Sequence, residues 1–118
     1  MKYFSAEEFK CKHCGSDGIQ ESFTETLDAI RGDCSFPFVI SSGYRCPEHP
    51  IEAKKESPGA HAAGYAADIA VSGEQALRVI EVALAHGIKR IGVNQKGDGR
   101  FIHLDTDPGR PSPSIWSY

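Results

Sequence analysis

Positive charge is in short supply in this sequence. Thirteen lysines and arginines face sixteen aspartates and glutamates, for a formal net charge of -3 with histidine neutral. Nucleic-acid binding calls for a basic face, so nucleic acid is not expected as a partner. Long apolar runs are missing too: nothing approaches the ~20 residues of a membrane span. The opening MKYFSAEEFK lacks the apolar core of a secretory signal, so synthesis in the cytoplasm is expected, with any export by another route. Cysteine is sparse and unevenly placed. Cys11 and Cys14 make one C-x-x-C, but Cys34 and Cys46 do not make the second one that a zinc ribbon needs. The pair reads as a zinc knuckle, a redox pair, or small buried thiols kept reduced. A zinc-ribbon nucleic-acid module would also need the basic surface that the composition withholds.

What is present suits one soluble-type domain. The chain has 118 residues, 40% apolar and 25% charged, which argues for a single core spanning residues 1–118. SAEE reads as a capping box that starts a short helix, with Ser5 as N-cap and Glu8 reaching back. Phe23, Leu27 and Ile30 recur at helical spacing, with Gly32 as a stop. FPFVISSGY reads as a strand ended by Gly43, and CPEHPIEAKK as a turn or a single helical turn because of Pro50. YAADIAV is short, apolar and bounded by glycines, as a buried strand would be. The clearest helix is expected over Glu74–His86, with Ser72 and Gln75 as a second capping box. Leu77, Ile80 and Leu84 form its apolar stripe, and Gly87 its C-terminal glycine. RIGV and FIHLDT follow as strands joined by the turn-forming NQKGDGR. The proline-broken tail carries Ile115, Trp116 and Tyr118, which are expected to pin it to the body. The sum is an α+β fold: a mostly antiparallel sheet flanked by helices.

Chemistry gathers around SPGAHAAGYAADIAV and FIHLDT. Alternation along FIHLDT places Phe101, His103 and Asp105 on one face and Ile102 and Leu104 on the other. If YAADI is a neighbouring strand, Asp68 approaches from beside His103, with His61 on the loop leading in. Two histidines and a carboxylate are a three-ligand set with a fourth tetrahedral position left for water, the pattern of a catalytic zinc. Glycines at 59 and 64 permit sharp turns or close backbone approach. Ala62, Ala63, Ala66 and Ala67 keep bulk away from the same space. His61 taken alone reads more readily as a plain surface histidine, whereas a carboxylate at 68 in an apolar strand needs a partner.

These residues resemble the zinc peptidoglycan peptidases of the D-Ala-D-Ala carboxypeptidase and L-alanyl-D-glutamate endopeptidase group, which share the Hedgehog-type fold. In that group a histidine, six residues and an aspartate form the first metal motif, matched by His61 and Asp68. A histidine in a late strand, followed by a hydrophobic residue and aspartate, is matched by His103, Leu104 and Asp105. SSGYRCPEH resembles an upstream segment whose arginine faces the site, here Arg45. FSAEEFKCKHCG and IWSY are similar to members coded by phages and prophages. The resemblance implies a zinc peptidase acting on peptidoglycan stem peptides, as a monomer, on the cell wall after release or as part of a virion.

Two positions depart from that pattern. Gly59 stands where many members have serine or threonine, and Arg100 stands where an acidic general base is usual. An arginine cannot accept a proton at neutral pH. Asp105 and Asp98 are the remaining candidates, the former favoured because the strand fixes its direction. Asp105 reads alternatively as the partner that orients His103, and Asp98 as a turn former in KGDG. Arg45 suits a substrate carboxylate or an oxyanion, or else a structural ion pair. Tyr44 either helps at the site or packs. His13 suits a cysteine metal site, His49 the cleft near Arg45, and His86 the end of a helix. The missing acid keeps a second function open: a zinc-binding but non-catalytic wall-binding or virion module.

Overall fold

The structure, a computed structural model, describes residues 1–46 and 59–118. His49 and nearly all of CPEHPIEAKK lie outside the described residues. The chain opens with a 3-10 turn, Ala6–Phe9, where the Ser5 amide donates to the Glu8 carboxylate at 2.7 Å as the capping box requires. Helix α1 (Glu21–Asp33) buries Phe23, Leu27 and Ile30 and runs one residue past Gly32 before stopping at Cys34. Strand β1 (Ile40–Ser42) is shorter than FPFVISSGY suggests: Phe38 is buried in the core ahead of the strand. A one-turn helix, α2 (Ala60–Ala63), leads into β2 (Ala66–Ile69), so His61 sits on a helical turn rather than a loop. Helix α3 (Gly73–Ala85) and the hairpin β3 (Arg90–Asn94) and β4 (Phe101–Asp105) follow, and β5 (Ser114–Ser117) closes the chain.

Among the described residues the five strands form one sheet in the order β1-β2-β4-β3-β5. Its pairs are antiparallel except β3 with β5, which is parallel. The tail therefore does more than lie against the body: it adds a strand. Its side chains alternate, so Ile115 points outward at 72% exposure and Trp116 turns inward over the sheet. Among the described residues no helix is long and apolar enough to cross a membrane.

One face of the sheet makes the core and the other makes the site. Ala67, Ile69, Ile91, Ile102 and Leu104 point from the strands towards α1 and α3. Burying a side chain such as Leu27 or Ile30 fully contributes roughly 1.5–3 kcal/mol. Helix α3 corrects one expectation. Its buried face is Ala76, Val79, Val82 and Ala83, while Leu77 and Leu84 are 70% and 56% exposed and Ile80 is only partly buried. The helix carries two apolar stripes, and the one with small and flat side chains is turned to the sheet. Alanines at 76 and 83 let the helix axis approach where leucines would hold it away.

The loop after β1 crosses the N-terminal turn at very close range. A Cβ on Gly43 would lie 2.7 Å from the carbonyl oxygen and 2.8 Å from the Cα of Phe9. The Tyr44 amide donates to that same carbonyl at 2.9 Å. Gly43→Ala should therefore force two backbones apart and lower stability by about 1–3 kcal/mol, read as a shifted urea midpoint at unchanged m. A loss below about 0.5 kcal/mol would mean that the backbones have room to spare.

Candidate metal centre

Each polar group of the site is placed by its local backbone. α2 ends at Gly64 with φ at 86°, in the left-handed region where glycine has no Cβ to clash. The same glycine passes so near the chain at Gly18 that a Cβ would lie 2.3 Å from its carbonyl oxygen. This tight exit carries the chain from His61 straight into β2, where Ala66 and Asp68 face the site. Across the sheet Asp68 pairs with His103, His103 with Gly92, and Gly92 with Trp116. A single row of the sheet thus supplies an acid, an imidazole, a gap and an indole.

The hydrogen bonds fix the His61 tautomer and set His103 between two carboxylates. Nδ1 of His61 lies 2.8 Å from the carbonyl oxygen of Gly43. A carbonyl only accepts, so Nδ1 carries the proton and Nε2 presents its lone pair. That Nε2 is 3.3 Å from Asp68 Oδ1. His103 Nε2 lies 2.6 Å from Asp105 Oδ2 and Nδ1 lies 2.9 Å from Asp68 Oδ1; in the neutral ring the shorter contact favours the proton on Nε2, with the Nδ1 lone pair towards Asp68. With both rings neutral, three acceptors face one another among buried residues, their possible ligand atoms all within 4.8 Å. Such a cluster requires a cation or an added proton at its centre.

Electrostatics follow from that crowding. Burial alone would push the Asp68 carboxyl up, but His103 and His61 outweigh it and hold it well below the usual carboxylate range. Burial would likewise lower His103; Asp105 and Asp68 override it and raise its affinity for a proton. The donor set fits zinc. Two imidazoles and a carboxylate are ordinary zinc ligands, and ligands about 2.0–2.1 Å from a tetrahedral centre lie about 3.3 Å apart. The observed separations of 3.3 and 2.9 Å lie at that spacing and a little below it.

The other sequence candidates take distinct positions. Asp105 is on the His103 face, but its side chain has no exposure. Its Oδ2 accepts from His103, and its Oδ1 accepts from Arg90 Nε at 2.6 Å and the Asp107 amide at 3.2 Å. Those partners overcome the effect of burial and keep its carboxyl low. Arg45 has a guanidinium nitrogen 3.6 Å from Asp68 Oδ2, donates through Nε to Ser42 Oγ, and gives its backbone amide to the His61 carbonyl. Asp98 is exposed and lines a cleft of about 400 Å³ that also reaches Arg45, Asp68 and Arg100. Arg100 is drawn into the hairpin turn, donating to the Gly97 carbonyl at 3.0 Å. His86 meets Asp33 at 2.6 Å, far along the chain from the site.

A second cleft, about 520 Å³, opens over His61, Asp68 and His103 and is walled by Phe101, Trp116, Tyr118, Arg45, Arg90 and Arg110. Three of these residues were not legible beforehand. Arg90 joins Asp105 to the Trp116 ring, its guanidinium 5.0 Å from the ring centroid. Trp116 lies 5.2 Å from His103, ring to ring, in the space left by Gly92, where a Cβ would come within 2.6 Å of its indole nitrogen. Arg110 pairs with Asp107 at 3.0 Å on the rim. The clue to Trp116 is that it is the chain's one tryptophan, but its register against β3 cannot be read from the tail alone. Apart from this site, Cys11, Cys14 and Cys46 also gather, and no disulfide joins the described cysteines.

A search of curated proteins gives no match. A family model described as Peptidase M15 matches residues 2–105, from the second residue to the end of β4, and takes in His61, Asp68, His103 and Asp105. The chain belongs to the Peptidase M15 family.

Proposed function

We propose that this metallopeptidase holds one zinc on His61 Nε2, Asp68 and His103 Nδ1 and hydrolyses an amide bond in peptidoglycan stem peptides. The observation that carries this reading is the convergence of three buried acceptors on one point beneath an open cleft. Zinc bound there would supply a Lewis acid that polarises a carbonyl and makes water a nucleophile near neutral pH.

The chain's own side chains do the rest. Asp105 takes the Nε2 proton of His103 and so aims its Nδ1 at the metal position, while Arg90 balances the buried carboxylate. Both oxygens of Asp105 are engaged, which favours a positioning role for it. Among the described residues lining the two clefts, Asp98 is then the carboxylate exposed enough to move a proton. Arg45 is set to bind a substrate carboxylate or a developing oxyanion. With Arg90 and Arg110 beside it, the cleft suits an acidic peptide, and Trp116 and Tyr118 offer it an apolar wall. The setting that fits is a monomer meeting the cell wall after release or as part of a virion.

Arginine in place of an acid at position 100 favours a second reading, in which the chain binds zinc and wall peptide without cleaving. Purified peptidoglycan separates the two: released stem-peptide fragments in mass spectra support hydrolysis and also name the bond, while binding without fragments supports the alternative.

Three variants test the assignments. His61→Ala and His103→Ala should each lower zinc content by about one ion per chain; unchanged content in both would remove these residues from the ligand set. Asp98→Asn should keep zinc and lose roughly 10²–10⁴-fold in cleavage rate, whereas Asp105→Asn should weaken zinc binding about 10–100-fold. The reverse pattern would exchange their roles. Trp116→Ala should raise KM about 2–10-fold at unchanged zinc content; an unchanged KM would show that the substrate does not meet the indole.

A further inference from the structure

We propose that Cys11, Cys14 and Cys46 form a second metal site, a thiolate site for a structural zinc ion. It would clip the N-terminal turn to the loop that carries Gly43 and Arg45. Their sulfur atoms lie within 4.8 Å of one another although Cys46 is 35 residues from Cys11. Thiolates about 2.3 Å from a tetrahedral zinc stand about 3.8 Å apart, so the three are already near the spacing that an ion would impose. A disulfide would use two of them and strand the third, and none is formed.

The backbone around Cys11 is shaped to hold a thiolate. The Gly15 amide donates to the Cys11 carbonyl at 2.7 Å, and the Cys11 amide to the Ser16 carbonyl at 3.0 Å. Gly15 closes this turn with φ at 73°, a conformation that favours glycine. The amide of Cys46 points at Cys11 Sγ from 3.3 Å, joined by the amides of Cys14 and His13. Burial alone would push the Cys11 thiol up, yet these amides hold it down at about 7. Cys11 and Cys46 are buried and Cys14 is exposed, and a fourth donor would close the tetrahedron, as structural sites require. Soft sulfur ligands select zinc over magnesium or calcium. Each thiol that binds gives up its proton, so uptake releases protons.

The position explains what the clip would do. Arg45 immediately precedes Cys46, its amide bonds the His61 carbonyl, and the Gly43 carbonyl fixes the His61 tautomer. The Tyr44 amide ties the same loop to Phe9, next to the cysteine turn. A metal joining Cys46 to Cys11 and Cys14 would hold the orienting loop from its far end. This site stands independently of the peptidase reading, because its ligands are sulfur and those of the first site are nitrogen and oxygen.

Cobalt(II) distinguishes the two donor sets. Full-length protein, purified with a thiol reductant and loaded with cobalt, should show the near-ultraviolet charge-transfer absorption of cobalt-thiolate bonds. His61→Ala should keep that absorption. Cys14→Ser, altered at the exposed ligand so that the fold is spared, should lose most of it. Zinc content should be about two per chain in the unaltered protein and about one in each variant. Cobalt-loaded protein without the absorption would overturn the proposal, needing no variant to do so. So would Cys14→Ser with unreduced zinc content, or a disulfide among the three cysteines in reduced preparations.

Discussion

Everything at the site depends on one arrangement: Asp68 Oδ1 with a histidine lone pair on either side, at 2.9 and 3.3 Å. Acceptors do not gather in a buried place without something positive between them, because desolvation removes the water that would otherwise separate them. Each histidine is forced into this role from behind. The Gly43 carbonyl holds the proton of His61 on Nδ1, and the Asp105 carboxylate holds the proton of His103 on Nε2. These outer partners cost little where they stand. One is a backbone carbonyl in a loop, and the other is a carboxylate whose charge Arg90 balances.

The sheet converts that local chemistry into a binding surface. Asp68, His103, Gly92 and Trp116 lie across β2, β4, β3 and β5 in one row. Since strand side chains alternate, the residues on either side of the row serve the core, and Ile102 and Leu104 anchor the strand that carries His103. Gly92 is small so that the indole can reach the imidazole. The tail strand matters for the same reason: it lies past the last residue matched by the family model, yet forms a wall of the cleft.

The sequence made local matters legible. The alternation in FIHLDT separates His103 and Asp105 from Ile102 and Leu104, and α3 runs within a residue of its expected bounds. Contacts between distant segments were harder. Leu77 and Leu84 form a credible stripe on a helical wheel, but only the depth available above the sheet decides that Ala76, Val79 and Ala83 face inward. Asp105 is on the expected face, yet its occupation by Arg90 depends on the β3–β4 register, with Arg90 opposite Asp105. Cys46 joins Cys11 and Cys14 through a loop crossing that no spacing rule describes.

The tautomers are the most direct way into the site. Long-range proton–nitrogen NMR on protein labelled at histidine, recorded before and after zinc addition, reads each ring nitrogen separately. The expected result is that His61 keeps its proton on Nδ1 and shifts at Nε2, while His103 keeps its proton on Nε2 and shifts at Nδ1. Zinc that leaves both rings unmoved, or that binds the opposite nitrogens, would contradict a metal centre built on Asp68.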